Sequence, residues 1–478
     1  MRGNVDVLSE RYATNQMNAI FSAEGGIRLE RDLWISVMDA ERALGVPIPA
    51  EVIEKYRAAR NQIDLNRIKE IELKTRHDVK AKIQAFSEAA GVQPKEQVVH
   101  WPLTSRDMDD NVWQTKIRRA SDIALGKSVS VLKHFLDKAR KYEDLILVAR
   151  THMQPAQLTT LGRRMSMWGE ELLGWAEEFD AFKQDYPLRG IKGPVGTQSD
   201  LLKLLGSEAK VAELEQMVAA DLGFSRVLSS PGQVYPRSMD YAVLSRLAGL
   251  SAGMESFSNT IRLMARNELA TEGFKPGQVG SSAMPYKMNT RSAERIRSFA
   301  NALKMYAMGA SLNSGDQWEE GDVADSLLRR IIIPGAFYAA DGLCETTLTV
   351  LNEMGPYPEV INREVDRYLP FVAMTELMSV ATKAGMGREV AHEKIRKHAV
   401  AAALAMRQGQ EPRLVERLAK DPGFSRYGID EEGIREMMRD REHFIGTARS
   451  QIREVAKKAD PLIAKYDTWT TYEPQPIL

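Results

Sequence analysis

The feature that most narrows the fold is a set of long apolar stripes with alternating three- and four-residue steps. Leu161, Met165, Trp168, Leu172, Trp175 and Phe179 step 4-3-4-3-4. Leu247, Leu250, Met254, Phe257, Ile261 and Met264 step 3-4-3-4-3, and Ile296, Phe299, Leu303, Tyr306 and Ala310 repeat the pattern. Such steps put every named side chain on one face of a helix that turns once per ~3.6 residues. Each stripe covers about five turns, roughly 30 Å of helix. Three such seams predict an all-α bundle with coiled-coil-like packing, since no alternating strand pattern rivals them.

The seams are interrupted where glycine and proline gather: PLRGIKGPVGT at 187–197, SSPGQVYP at 229–236, and EGFKPGQVGSSAMPYKMN at 272–289. WPLTS at 101–105 breaks helical periodicity near the start, and EMGPYPEV at 353–360 reads as a hinge. These breaks predict a helical head over 1–103, a long-helix middle over 104–356 that carries the loop 272–289, and a helical tail over 357–478. A chain of 478 residues has room for that many units.

Composition removes several classes of function. Lys plus Arg (65) equals Asp plus Glu (65), so no bulk field favours nucleic acid or an anionic membrane. Cys344 is the only cysteine, which excludes an internal disulfide or a thiolate metal cluster and fits a reducing compartment. No apolar run reaches signal-peptide or membrane-span length, so a cytoplasmic protein is expected. There is no phosphate-binding G-x-x-x-x-G-K-[ST], no strand-linked G-x-G-x-x-G, no H-E-x-x-H and no G-x-S-x-G. The seven histidines are scattered, so neither a metal nor a cofactor is expected.

What remains is a set of histidines and serines in polar breaks. TRHDV at 75–79 places Arg76, His77 and Asp78 in a row; LTSRD at 103–107 offers Thr104 and Ser105; RTHMQPAQ at 150–157 sets His152 beside Thr151. The loop adds Ser281, Ser282, Lys287 and Asn289, followed by Glu294 one turn into the next helix. Singly, Thr-Ser before an acid reads as a helix cap, and Glu294 complements a helix dipole.

Together they resemble one family. GSSAMPYKMN is similar to the G-S-S-x-M-P-x-K-x-N signature of the fumarase/aspartase superfamily. RY at 11–12, TRHDV, TS at 104–105, RTHMQPAQLTT, IKGPVGT with its preceding Arg189, and GQVYPRS at 232–238 resemble its adenylosuccinate-cleaving branch, in order, from Arg11 to about residue 400. The resemblance implies a three-domain helical fold with a central bundle, a homotetramer whose active sites combine several subunits, and small-molecule substrates that carry a succinyl group. The expected reaction is anti elimination of fumarate from adenylosuccinate and from the succinyl-aminoimidazole-carboxamide ribotide SAICAR, in purine nucleotide synthesis. The same resemblance implies Ser281 as base, His152 as acid, Glu294 as the carboxylate that orients it, and His77 in phosphate binding and proton handling. Substrate contacts are implied for Arg11, Tyr12, Arg76, Asp78, Thr104, Ser105, Thr151, Gln233, Ser282, Lys287, Asn289, Arg295, Ser326 and Arg330. Two positions depart from the pattern. Thr290 stands where proline usually follows the asparagine, and Gly321 stands where relatives carry an arginine, which leaves Arg329 or another residue to meet that anion.

The chemistry suits these residue types. Removing the Cβ proton of a succinyl group pushes charge into its carboxylate, so the site needs a base, donors around that carboxylate, and an acid at the departing nitrogen. An imidazole gives a proton near neutral pH. A serine is a base only as an alkoxide, which inward N–H groups of a loop with Gly277 and Gly280, together with the Lys287 cation, would stabilise. Alternatives are another fumarate-releasing lyase, acting on argininosuccinate, aspartate or malate, and a catalytically silent helical scaffold.

Overall fold

The computed structural model describes residues 6–476. Five long helices dominate it: α1 (Ser105–Lys141), α2 (Leu161–Asp185), α3 (Ser238–Arg266), α4 (Arg291–Asn313) and α5 (Ser326–Glu353). Each packs on the next, and α5 packs back on α1, so the five close into a ring. The three seams point into this ring: all their residues are buried except Trp175 and Tyr306, which are half-buried. Burying each large apolar side chain stabilises the fold by about 1.5–3 kcal/mol.

Glycines set close approaches along the ring. A Cβ on Gly253 would stand 2.6 Å from the Trp168 carbonyl, and one on Gly249 would strike the Trp175 ring. Gly342 faces Phe299 and Gly335 faces Tyr306, so α4 and α5 run antiparallel. α1 and α5 run parallel: Asp110 lies near Arg329, while Lys127 meets Asp341 and, at 2.7 Å, Glu345.

α1 and α5 are buried on nearly every side, which explains why neither carries a legible stripe. Several of their hydroxyls bond back along their own helices, as in Thr115 to the Asn111 carbonyl (2.8 Å) and Thr346 to the Gly342 carbonyl (2.7 Å). The buried Lys127 is matched by two carboxylates, and Asp341 also accepts the Thr14 N–H at 2.7 Å.

Between α1 and α2, where the sequence suggests a polar break, the chain forms an antiparallel hairpin, β1 (Ile146–Thr151) and β2 (Gln154–Thr160). Leu147, Val148 and Leu158 are buried there, but the apolar run is too short to announce a strand. A two-residue ladder, β3 (Ala270–Thr271) with β4 (Gly355–Pro356), ties the end of α3 to the end of α5. A second apolar cluster joins Leu33, Trp34 and Phe86 to Leu214 and Val218, and a third runs from Ala373 to Ile434. The helix Ala448–Lys465 returns to α1 and α2 and adds Ile452 and Leu462 to the main core.

Candidate active site

The residues singled out in the sequence fall at two opposite ends of the ring. One end is where α1, α3 and α5 begin. Thr104 caps α1, its N–H donating to the Asp107 carboxylate at 2.9 Å, with Ser105 as the first helical residue. The other oxygen of Asp107 accepts from Arg189 (2.6 Å) and from the N–H groups of Lys192 (2.9 Å) and Gly193 (3.0 Å). Arg189 also reaches the Gly232 carbonyl, next to Gln233, whose own N–H donates to the Glu320 carbonyl at 2.7 Å.

Three further acids complete this network. Asp110 accepts the Tyr235 N–H (2.9 Å) and both guanidinium nitrogens of Arg237. Arg237 also meets Asp325 (2.6 Å), the residue before Ser326. Arg329 donates to Asp240 at 2.7 Å and to the Tyr235 hydroxyl, which itself donates to Asp240 at 2.6 Å. Burial opposes ionisation of Asp110, but the Arg237 and Arg329 guanidiniums overcome it and hold its carboxyl below the usual range. Arg329 is therefore sealed inside the fold and committed to acids, which removes it as the substitute cation for position 321. Gly321 itself adopts φ +134°, and a Cβ there would stand 2.8 Å from Val234, so this backbone excludes an arginine. Arg330, by contrast, is exposed.

His77 caps the helix Asp78–Ala90, its Nδ1 accepting the Lys80 N–H at 3.3 Å, so the proton of a neutral ring sits on Nε2. The Asp78 carboxylate lies 3.8 Å away, and Arg76 ends the preceding helix with φ +53°. His100 lies in the fields of both His77 and Asp107; burial pushes its imidazole down to about 4, and its Nδ1 accepts the Trp34 indole N–H at 3.1 Å. The structure thus brings Arg76, His77, Asp78, Thr104, Ser105, Gln233, Ser326 and Arg330 to one end.

The serine loop lies at the other end, where α3 and α5 stop and α4 starts. The β3–β4 ladder and a Lys275–Glu353 pair (2.5 Å) hold its first limb. Ser281 Oγ accepts the Met284 N–H at 3.1 Å, and Asn289 Nδ2 donates to the Gly280 carbonyl at 2.7 Å. A Cβ on Gly280 would stand 2.0 Å from the Lys287 carbonyl, so the loop closes on itself only around a glycine. The Ser282 and Lys287 side chains are exposed and make no hydrogen bond or ion pair among the described residues. Thr290 makes no side-chain cap for α4. Instead Glu272, which the sequence reading did not single out, accepts from the Ser292 (3.0 Å) and Ala293 (2.8 Å) N–H groups. Burial raises its carboxyl above the usual range despite those donors. The absent proline is thus compensated at the helix start. Glu294 is exposed in the first turn; Arg295 lies over the Tyr12 ring at 5.2 Å, and that ring meets Phe299 edge-on at 5.2 Å. Arg11 ends the short helix beside them.

Thr151 ends β1, and His152 and Met153 form the hairpin tip with φ +51° and +61°. Two consecutive left-handed residues without glycine cost on the order of 1 kcal/mol or more each, a strain typical of functional positions. The hairpin is braced from outside by Arg150 on Glu364 (2.5 Å). His152 is exposed and has no hydrogen-bond partner among the described residues.

The separation is large. α5 has 28 residues, so its two ends lie about 40 Å apart along the axis. Within one chain no nucleotide-sized molecule can touch both Ser326 and Ser281. Among the described residues no cluster of His, Cys, Asp or Glu has the geometry to hold a metal ion.

Comparison with known proteins bears on this arrangement. Residues 14–303 match the family model described as Lyase, and residues 370–455 match the one described as Adenylosuccinate lyase C-terminus. Adenylosuccinate lyase of Saccharomyces cerevisiae is 35% identical over 461 residues, spanning 94% of this chain and 93% of the yeast protein. That of Bacillus subtilis is 31% identical over 396 residues, 82% of this chain and 88% of the bacterial one. In fold, the chain superposes on a fumarate lyase from Mesorhizobium sp. BNC1 with TM-score 0.79 at 19% identity, covering 94% of this chain and 99% of that one. It superposes on the 3-carboxy-cis,cis-muconate lactonizing enzyme of Pseudomonas putida with TM-score 0.81 at 19% identity, covering 95% and 99%.

Proposed function

The chain belongs to the adenylosuccinate lyase family of the fumarase/aspartase superfamily, and from that premise we propose that it eliminates fumarate from adenylosuccinate, leaving AMP, and from SAICAR, leaving the aminoimidazole-carboxamide ribotide. The observation that carries the mechanism is the Met284 N–H donating to Ser281 Oγ inside a glycine-bracketed loop. That donor, with the Lys287 ammonium drawn in on closure, stabilises the serine alkoxide. The alkoxide takes the Cβ proton; the C–H electron pair becomes the C=C bond of fumarate, the C–N bond breaks, and His152 protonates the departing nitrogen. Glu294 orients that imidazole. Arginines and hydroxyls at the network end hold the charged ends of the substrate, with His77 beside them.

The two ends belong to one site only if different copies supply them. The reading is therefore a homotetramer with shared active sites. An exposed apolar face supports it: Met305, Met308 and Leu312 on α4 and Leu327 and Ile331 on α5 are each more than half exposed in the single chain. A head, bundle and tail divided near residues 103 and 356, and a cytoplasmic location, belong to the same reading. Among the described residues no helix is long and apolar enough to cross a membrane.

The test is to incubate the protein separately with adenylosuccinate, SAICAR, argininosuccinate, aspartate and malate and to follow fumarate. Release from the two purine compounds alone is expected. Fumarate from another compound reassigns the amine, and none from any, with no thermal shift on adding AMP, leaves a silent scaffold.

A further inference from the structure

We infer that Arg106 holds an anionic oxygen group of the substrate at the network end, in the place that Gly321 leaves without a side chain. The inference rests on the lyase reading above, and Arg106 lies outside the residues that the family signature assigns.

Four arginines surround the 320–330 segment. Arg237 and Arg329 are enclosed and paired with Asp110, Asp325 and Asp240. Arg330 is exposed and makes no ion pair among the described residues. Arg106 differs from all three: it is buried, at 7% exposed, but its closest partners are a half-buried acid on its own helix and a backbone carbonyl. It follows Ser105 in the first turn of α1, its Nη2 donates to the Asp322 carbonyl at 3.3 Å, and its Nη1 meets Asp109 at 2.8 Å. It therefore bridges the two segments that carry Ser105 and Ser326.

Its present partners are of the replaceable kind. Asp109 is 28% exposed and three residues away on the same helix, so its carboxylate can turn to water when another anion takes its place on the Arg106 guanidinium. The carbonyl contact is long, and the Nε–H has no protein acceptor among the described residues. Asp110, at 3.7 Å, is already neutralised by Arg237 and Arg329. A guanidinium so placed can exchange Asp109 for a phosphate or carboxylate with a net gain in charge-assisted bonds. The field around it favours this. Arg106, Asp109, Trp113 and Lys116 share one face of α1, and Lys116, beside Arg330, makes no ion pair among the described residues.

Binding of the two products, AMP and fumarate, measured by calorimetry on the wild type and on Arg106→Gln, tests the inference and tells phosphate from carboxylate. Loss of one charge-assisted pair predicts about 10–100-fold weaker binding of one product and little change in the other. Weaker AMP assigns the phosphate, and weaker fumarate assigns a carboxylate. Asp109→Asn separates this role from a structural one: freed of its competitor, Arg106 should bind the same product as well as or better than before. Unchanged affinity for both products in Arg106→Gln, or an equal loss in Asp109→Asn, overturns the inference. A chain that releases fumarate yet shows either result loses only this residue, whereas a wild type that releases none loses the lyase reading.

Discussion

The two ends of the helical ring are built on opposite principles. At the network end, Arg189, Arg237 and Arg329 are enclosed and tied to Asp107, Asp110, Asp240 and Asp325, so the segments around Ser105, Gln233 and Ser326 are fixed by buried charge. At the loop end, Ser281 and Asn289 bond only within their own loop, while Ser282, Lys287 and Glu294 face water. The contrast separates holding from reacting. Rigid, pre-paired charge fixes the segments that carry Ser105, Gln233 and Ser326, and leaves contact with an anion to groups outside those pairs. A loop anchored at its limbs by Lys275 and Glu272 but free between them can close and exclude water when substrate arrives.

The largest effect expected from breaking this contrast is structural. Arg329→Met leaves the buried Asp240 with the Tyr235 hydroxyl but without its cation, and removing one partner of a buried pair costs about 3–5 kcal/mol. Chemical denaturation should show that loss, and a fall below ~1 kcal/mol would mean the network is not what fixes this end. The next effect is catalytic and leaves stability alone. Ser281→Ala and His152→Ala should each lower turnover at least ~10²-fold, with an unchanged melting temperature, because both side chains lie outside the core. Near-normal turnover in the serine variant would remove it from the base role.

The smallest effect sharpens the comparison on the helix Ala23–Ala43. Glu41 is fully buried without a hydrogen-bond partner for its carboxylate among the described residues, and burial raises its carboxyl to about 8. The folded chain therefore keeps a proton that the unfolded chain releases near 4.5, so stability falls as pH rises from there to about 8. Glu41→Gln should flatten that slope and gain at least ~1 kcal/mol at pH 8 relative to the wild type. An unchanged slope would show that Glu41 finds a partner in solution.

Much of this was legible in the sequence, and unevenly so. The seams of α2, α3 and α4 are one-sided and read directly. α1 and α5 are enclosed on nearly every side beyond the first turns of α5, and polar residues such as Asn111, Lys127 and Asp341 interrupt any stripe. The serine loop announces itself through its glycines and fixed spacing. The hairpin that carries His152 does not, since His152-Met153 adopts a tight turn without the usual Asn or Gly. Glu272 caps α4 from 20 residues away, which no local pattern reveals. The end at which each motif lies is a property of the assembled ring alone.

The central claim is that one active site draws on both ends and hence on more than one copy. Co-assembling Ser281→Ala with His77→Ala, each expected to be inactive by itself, tests this most directly, because a mixed assembly can contain sites in which both residues are intact. The account predicts that fumarate release from adenylosuccinate returns on mixing. Mixed assemblies as inactive as either parent would contradict it and place both residues in a site made by a single chain.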